Sequence, residues 1–196
     1  MEIRRYVGSE VRPWLRDLAK LRLAVFREYP YLYEGREENE MEYLESYARS
    51  PHSVFVLAFA QGDVVGIASG LPLLDADDSF PPLFHGAGID PEPVFYFGES
   101  VLRADLRGQG TGSRFFDERE AHAVAHGYTA AAFCAVQRAE NHPAKPPGHR
   151  PLDSFWNSRG YIKQPQLTMR VEWLRCDTGK REENDLLFWL NPGIGG

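Results

Sequence analysis

The stretch Leu106-Arg107-Gly108-Gln109-Gly110-Thr111-Gly112-Ser113 has glycine at every second position from 108 to 112, between a predicted strand over residues 94–102 and a predicted helix over residues 112–126. Glycines remove side chains from the turn and let its backbone N–H groups face outward. The first turn of the following helix adds unpaired N–H groups and the positive end of the helix dipole. Arg107 adds a charged donor. The stretch therefore predicts a phosphate-binding loop.

Two common phosphate-binding motifs do not fit this loop. A nucleoside-triphosphate loop ends in Gly-Lys-Ser/Thr, whereas Gly112 is followed by Ser113 and Arg114. The dinucleotide fingerprint needs G-x-G-x-x-G after a strand near the start of the fold, and the spacing here is G-x-G-x-G after a later strand. From the loop alone, a glycine-rich helix start without any ligand stays open as the alternative.

The rest of the chain alternates between strand and helix patterns. Apolar residues recur at three- and four-residue steps over residues 11–27, which predicts a helix with Pro13 in its first turn. Two more helices are predicted, from about Glu37 and over residues 153–159. The predicted strands cover residues 1–7, 53–60, 64–71, 94–102, 130–136, 167–174 and 186–190. Residues 73–93 and 138–152 are predicted to be irregular. This order predicts a mixed α/β sheet with helices on its faces.

Length and composition indicate one soluble domain over residues 1–196. Of the 196 residues, 43% are hydrophobic and 26% are charged, as in ordinary globular proteins. The net charge of −6 argues against a nucleic-acid partner. The chain has neither an apolar run of membrane-spanning length nor an apolar N-terminal signal, so we expect a cytoplasmic protein without a membrane partner. Two cysteines, Cys134 and Cys176, do not make a disulfide framework. We also expect no metal site, because His122 and His126 lack a neighbouring carboxylate.

A family resemblance links the loop to later segments. The pattern Arg107-x-x-Gly110-x-Gly112 resembles the pyrophosphate loop R/Q-x-x-G-x-G/A of the GNAT superfamily, the acyl-CoA-dependent N-acyltransferases. Asn141, with Ala144 three residues later, and Phe155-Trp156-Asn157-Ser158-Arg159-Gly160-Tyr161 resemble further segments of the family in the same order. The resemblance covers essentially the whole chain. It implies a mostly antiparallel central sheet, flanked by helices, whose fourth and fifth strands splay apart.

The resemblance also implies where acetyl-CoA binds. The pantetheine arm of the coenzyme would lie between the splayed strands, and its pyrophosphate on the glycine-rich loop. Gly98 would mark a bulge that exposes a backbone donor to the thioester carbonyl, a contact typically worth about 3–4 kcal/mol. The implied cofactor-binding residues are Ser100, Val101, Leu102, Arg107, Gly108, Gln109, Gly110, Thr111, Gly112, Ser113 and Asn141.

Acyl transfer to an amine requires a group that removes a proton from the nitrogen. Glu99 resembles the carboxylate that many family members use, and a carboxylate on a mostly apolar strand is costly unless it is paired or functional. The alternative is a Glu99 that is paired with an arginine or faces water. The family tyrosine that protonates the departing thiolate is replaced by Trp156, whose indole N–H has no useful acidity. Tyr161 is expected to pack in the core, so the acid stays unassigned.

The acceptor side of the site is less well defined by the sequence. Tyr29, Tyr31 and Tyr33, in the connection between the first two helices, form either an aromatic wall for the acceptor or a satellite hydrophobic cluster. The proline-rich stretch adds three candidates for the acceptor site or the proton donor, which are otherwise solvated loop side chains: His142, His149 and Arg150.

These observations predict an N-acyltransferase that moves an acetyl group from acetyl-CoA to a primary amine of a small molecule or a peptide. Direct attack in a ternary complex suffices, because positioning supplies much of the acceleration. The alternative is a coenzyme-A-binding sensor or interaction module without transferase activity, which the tryptophan at position 156 keeps open. Phe188 and Trp189 hint at a homodimer, although burial in the core explains them equally well.

Overall fold

A seven-stranded sheet forms the centre of the molecule. The computed structural model describes residues 1–195. Its strands are β1 (Glu2–Val7), β2 (Val54–Ala60), β3 (Asp63–Pro72), β4 (Val94–Leu102), β5 (Ala130–Val136), β6 (Ile162–Leu174) and β7 (Arg181–Asn191). They lie in the order β1-β2-β3-β4-β5-β7-β6, and all neighbours are antiparallel except β4 and β5. The predicted α/β architecture with a mostly antiparallel sheet is confirmed.

The helices cover both faces of the sheet. They are α1 (Leu15–Phe26), α2 (Glu37–Arg49), α3 (Phe80–Gly86), α4 (Thr111–Ala125) and α5 (Asp153–Ser158). Leu18, Leu44 and Phe84 bring α1, α2 and α3 into one hydrophobic cluster, whereas Phe115 and Phe155 bring α4 and α5 into the other. Between residues 1 and 195, no helix has the length and apolar character needed to cross a bilayer.

Phe188 and Trp189 on β7 belong to the core. Successive strand residues point to opposite faces of a sheet, so Phe188 joins the cluster under α1 to α3 and Trp189 the cluster under α4 and α5. The two side chains are 0% and 1% exposed. They therefore present no surface to a second copy of the chain, and the hint at a homodimer loses its basis.

The element boundaries differ from the predicted ones at three places. A 3-10 turn over Gly8–Trp14 precedes α1, because Pro13 lacks an N–H and clashes with the carbonyl four residues earlier. The predicted irregular segment 73–93 contains α3, which begins with prolines in its first turn, where they are tolerated. Strands β6 and β7 are both longer than predicted. Strand β6 continues through Pro165 because a shift of register between Gln164 and Thr168 accommodates the proline.

Strands β4 and β5 make the opening that positions the site. They pair only from Val94 to Tyr96 on β4, against residues 130–132 of β5, and then diverge. On the other side of β4, the register with β3 shifts, so that Gly98 and Glu99 together oppose Ser69. This is the bulge predicted at Gly98, and it interrupts the ladder beside the gap.

Candidate active site

A cavity of about 520 Å³ fills the gap between the diverging strands. Residues 97–102 of β4 form one wall and residues 133–136 of β5 the other. The glycine-rich loop and the first half of α4 close one end, and residues 28–31 of the α1–α2 connection lie along the mouth. Because the cavity lies beside an interrupted ladder, a ligand in it would meet backbone groups that the sheet leaves available.

The glycine-rich loop leaves six consecutive backbone N–H groups without an acceptor. Within residues 1–195, the N–H groups of residues 108–113 donate to no backbone or side-chain oxygen, and the first bonded one is Arg114, which donates to the Gly110 carbonyl at 3.3 Å. Gly110 has a φ of 81°, in the left-handed region that favours glycine, and α4 has no side-chain cap. Free N–H groups at a helix N-terminus bind anions such as phosphate.

Gly112 has room that the folded chain does not use. A Cβ added at this position meets no atom within 4 Å, and Gly112 does not have a left-handed backbone. Glycine inside a helix is about 1 kcal/mol less favourable than alanine. Neither packing nor backbone conformation therefore requires glycine here, whereas a ligand lying against the bare Cα would. The residues present fit a pyrophosphate group.

Arg107 connects this loop to the α1–α2 connection. Its Nη2 donates to Glu28 Oε2 at 2.7 Å, and its Nε donates to the Leu102 carbonyl at 3.0 Å. Both charged side chains are almost half exposed and line the cavity. Arg107 is therefore held at the mouth of the cavity by a carboxylate that an incoming phosphate would have to share or replace.

Glu99 lies at the bulge, in a buried ion cluster. Arg22 Nη1 donates to Glu99 Oε2 at 2.5 Å, and Arg22 Nε donates to Glu40 Oε2 at 2.6 Å. The remaining Glu40 oxygen accepts the Tyr33 hydroxyl at 2.7 Å. All three charged residues are less than a tenth exposed. Arg22 thus fixes one oxygen of Glu99 and leaves the other for a different partner.

The surroundings of Arg22 keep its charge in place. Burial disfavours the charged guanidinium, but the nearby groups, Glu99 first, then Tyr43 and Glu40, hold its pKa above the usual value. The guanidinium also lies over the ring of Tyr43, with 4.2 Å between its carbon and the ring centroid. Glu99 Oε1, in contrast, is buried without any hydrogen-bond partner within residues 1–195. An orphaned carboxylate oxygen beside a cavity is a candidate proton acceptor.

The family comparison matches the region that contains these features. The family described as Acetyltransferase (GNAT) family matches residues 18–146, which is 129 of the 196 residues. This chain belongs to the GNAT acetyltransferase family. Membership makes the protein an acetyltransferase and supports acyl transfer from acetyl-CoA.

Solved structures share this GNAT fold along nearly the whole chain. Ribosomal-protein-alanine N-acetyltransferase from Brucella melitensis is 17% identical, with a TM-score of 0.62 over 97% of this chain and 98% of its own. A phosphinothricin acetyltransferase from Sinorhizobium meliloti, in complex with AcCoA, is 14% identical, with a TM-score of 0.61 over 100% and 91%. Naa20 from Chaetomium thermophilum, in complex with a bisubstrate analogue, is 20% identical, with a TM-score of 0.61 over 98% and 87%. No curated protein sequence matches this chain significantly.

Most of the predicted site residues of this GNAT protein surround the cavity. Seven of the twelve line it: Glu99, Ser100, Val101, Leu102, Arg107, Gly108 and Gly112. Four more belong to the loop and the first turn of α4 without lining it: Gln109, Gly110, Thr111 and Ser113. Asn141 is exposed in the β5–α5 connection and is not part of the cavity wall. Its contact with the pantetheine arm stays a prediction.

The open alternatives for the acceptor side separate in the structure. Tyr29 and Tyr31 line the cavity, whereas Tyr33 is engaged with Glu40. His149 and Arg150 also line it. His142 does not line it, and its two ring nitrogens lie within hydrogen-bond distance of the Ala144 N–H and of Arg175 Nη2.

Neither Trp156 nor Tyr161 is placed to protonate the departing thiolate. Trp156 lines the cavity and packs edge-on against Phe133 and Trp189. Tyr161 is fully buried, as expected, and its hydroxyl donates to Glu120 at 2.9 Å. The indole at position 156 therefore serves as a wall of the cavity.

Sequence reasoning allowed for an arginine beside Glu99, and the structure shows that pairing with Arg22, but it did not identify Arg22 and missed Arg119. Arg22 lies on the apolar stripe of α1, between Leu18 and Phe26, and Arg119 follows Phe115 by four residues on α4. A lone charge on the buried face of an amphipathic helix is the signal that would have found both. No group of three or more His, Cys, Asp or Glu side chains in the described part of the chain is arranged to hold a metal ion.

Proposed function

We propose that this GNAT protein transfers the acetyl group of acetyl-CoA to a primary amine by direct attack in a ternary complex. One observation carries the proposal: a cavity connects the free N–H groups at the start of α4 with the orphaned Glu99 oxygen at the bulge of β4. An anion cradle at one end and a proton acceptor at the other suit a substrate that carries phosphate far from its reacting group.

Different parts of the cavity would bind different parts of acetyl-CoA, the acyl donor. The N–H groups of residues 108–113 and the guanidinium of Arg107 would hold the pyrophosphate, and backbone groups of residues 100–102 would pair with the pantetheine arm. Acetyl-CoA, when bound, supplies an acyl group activated as a thioester. The bulge at Gly98 and Glu99 makes backbone groups of β4 available to the acyl carbonyl.

Glu99 would act as the base for the amine. An alkylamine has a pKa near 10, so its nitrogen needs a partner that takes up the proton lost as the nitrogen bonds to the acyl carbon. Glu99 Oε1 is free to accept that proton, while the bond from Arg22 to Oε2 holds the carboxylate in one orientation. A proton acceptor fixed by a second group is the arrangement that general base catalysis uses.

The cysteine on the opposite wall supports direct transfer. Burial raises the pKa of Cys134 to about 11, although the Tyr96 hydroxyl lies only 3.1 Å from its Sγ and partly offsets the shift. A thiol with this pKa is protonated at neutral pH and is a weak nucleophile. An acyl-cysteine intermediate is therefore disfavoured, and the coenzyme thiolate leaves without a dedicated acid, as its own pKa near 8.5 permits.

The acceptor would be a primary amine on an apolar stem. Tyr29, Pro30 and Tyr31 line the mouth of the cavity on the side of the α1–α2 connection, beyond the Glu99 carboxylate. Among the structural relatives, one is named for ribosomal-protein alanine and another for phosphinothricin. The fold is thus compatible with a peptide amine and with a small molecule, so a test of transfer requires acceptors of both kinds.

The donor site is tested by thermal unfolding with acetyl-CoA, using Gly112→Leu and the control Ala121→Leu on the exposed face of the same helix. At 100 times its Kd, acetyl-CoA should stabilise the wild type by about 2.7 kcal/mol, or roughly 5–10 °C. Gly112 is exposed and an added Cβ meets no atom there, so Gly112→Leu should unfold at an unchanged or higher temperature without ligand. It should nevertheless lose the shift, whereas Ala121→Leu should keep it.

A wild type that shows no shift at millimolar acetyl-CoA would contradict the proposal and make the glycine loop structural. Equal shifts in the wild type and in Gly112→Leu would move the binding site away from α4.

The transfer step is tested with a panel of alkylamines, aralkylamines, amino acids and short peptides, comparing wild type and Glu99→Gln. Replacing a general base should lower kcat by 100-fold or more, with coenzyme binding retained. Glu34→Gln, which alters an exposed pair with Arg27, is the control and should keep full activity. A wild type that binds acetyl-CoA but acetylates no member of the panel would favour the alternative, a coenzyme-A-binding module.

A further inference from the structure

Arg119 of α4 is a buried arginine without a carboxylate partner. It is 1% exposed, and within residues 1–195 it forms no ion pair. A buried charge without a partner is costly, and burial accordingly lowers the pKa of Arg119 to about 10. Its guanidinium instead lies over the rings of Phe97 and Phe116, at 4.1 and 4.9 Å from their centroids. The hydrogen bonds of the guanidinium therefore have to offset the free-energy cost of burying it.

The guanidinium joins both strands across the bulge. Arg119 Nη1 donates to the carbonyl oxygens of Ser69 on β3 and Glu99 on β4, each at 3.1 Å, and Nη2 donates to Ser100 Oγ at 2.8 Å. Nε donates to the Phe115 carbonyl of its own helix at 3.1 Å. The register of β3 and β4 shifts at Ser69, opposite Glu99, where the ladder is interrupted. Arg119 therefore donates hydrogen bonds to the carbonyl groups of Ser69 and Glu99 at the point where the ladder between the two strands is interrupted.

Arg119 also links the two ends of the cavity. It lies eight residues after Thr111, the first residue of α4, and the same helix begins at the loop with the free N–H groups. Its side chain lines the cavity beside Glu99.

We propose that Arg119 is a positioning residue, which sets the backbone of the bulge and thereby aims the Glu99 carboxylate at the amine that attacks the acyl group. This inference rests on the proposed function. The role depends on directed hydrogen bonds as well as on charge, because a guanidinium donates in several fixed directions and an ammonium does not. Arg119→Lys should therefore fail to replace arginine even though it keeps the charge.

The test measures kcat and KM for acetyl-CoA with an amine from the panel, together with the Kd of coenzyme A by calorimetry. In Arg119→Lys we expect kcat to fall at least tenfold, while KM and the Kd of coenzyme A change by less than about threefold. Arg159→Lys is the matched control, since Arg159 lies 5.1 Å from the ring centroid of the same Phe116 but outside the cavity wall. It should retain kcat.

Ser100→Ala covers the case in which Arg119→Lys does not fold. This variant removes only the Oγ acceptor of Nη2 and leaves Arg119 in place. A fall of about threefold or more in kcat, with an unchanged melting temperature, would support the positioning role. Full activity of Arg119→Lys, or of Ser100→Ala where Arg119→Lys is unfolded, would overturn it. Equal losses of coenzyme A affinity and of kcat in Arg119→Lys would also overturn it, because they indicate a structural role. If the wild type neither binds acetyl-CoA nor transfers its acyl group, the proposed function fails first.

Discussion

Glu99 and Cys134, on the two walls of the cavity, are both ionisable but have different neighbours. Glu99 on β4 is buried, but Arg22 donates to one of its oxygens, which offsets part of the cost of removing the carboxylate from water. Among residues 1–195, Cys134 on β5 has no cationic hydrogen-bond partner, and its Sγ lies 3.1 Å from the Tyr96 hydroxyl. Glu99 therefore has a charged partner in the fold, whereas burial without such a partner keeps the Cys134 thiol neutral.

Alkylation of Cys134 measures this effect. With a pKa of about 11, only about one thiol in a thousand is ionised at pH 8, against roughly one in four for a free thiol with a pKa near 8.5. In the Cys176→Ser variant, iodoacetamide should therefore label Cys134 about two orders of magnitude more slowly than a free thiol. Its rate should rise about tenfold per pH unit from pH 7 to 9, because the thiolate fraction rises with pH below the pKa.

A small-molecule thiol and the Cys134→Ala variant serve as references for this labelling, which is followed by mass spectrometry. Labelling that is fast and independent of pH from 7 to 9 would mean that a thiolate is already present. An acyl-cysteine route would then have to be reconsidered.

At the scale of elements, two connections meet at the mouth of the cavity. Glu28, just after α1, pairs with Arg107 in the loop before α4, although the residues are 79 positions apart. Both side chains are almost half exposed, so the pair contributes little to folding stability. Its main consequence is electrostatic, since it places a negative charge next to the cradle that is proposed to hold a pyrophosphate.

Glu28→Gln should tighten acetyl-CoA binding. Removing the carboxylate frees Arg107 for the pyrophosphate. The free energy of an exposed ion pair of this kind corresponds to a change of roughly two- to fivefold in the Kd of acetyl-CoA. The gain should shrink as salt is raised, because exposed charges are screened. Calorimetric titration at two salt concentrations measures both effects.

Glu34→Gln is the matched control for this prediction, because it removes the same charge from the same connection without facing the cavity. Weaker binding in Glu28→Gln would show that the pair organises the loop for the ligand instead of competing with it.

At the scale of the whole molecule, the site depends on how the sheet divides. β4 and β5 separate after three paired residues, and α4 and the α1–α2 connection cover the gap. The α1–α2 connection is also held to the β6–β7 hairpin by two backbone hydrogen bonds of 2.8 Å, from the Glu34 N–H to the Leu174 carbonyl and from the Cys176 N–H to the Leu32 carbonyl. The walls of the cavity thus come from segments far apart in the chain.

Much of this arrangement follows from local patterns. The loop from Arg107 to Ser113 and the succession of most strands and helices along the chain were predicted, because each depends on residues close together in the sequence, whereas the bulge at Gly98 was expected from the family resemblance. Helix α3 was missed, since its prolines resemble a loop until their place in the first turn is known. Strand β6 was predicted too short, because Pro165 is compatible with a strand only at a bulge or an edge.

By itself, the sequence determined the family resemblance, the mixed sheet and the glycine loop, since periodicity and turn chemistry act over a few residues. Only the tertiary structure decided that Glu99 is paired with Arg22, and that one of its oxygens remains free. It also decided that Arg119 spans the bulge, and that Asn141 lies outside the cavity wall. The physical reason is that a buried charge is stable only through partners brought close by folding, and here the partners on other elements are 18 to 77 residues away.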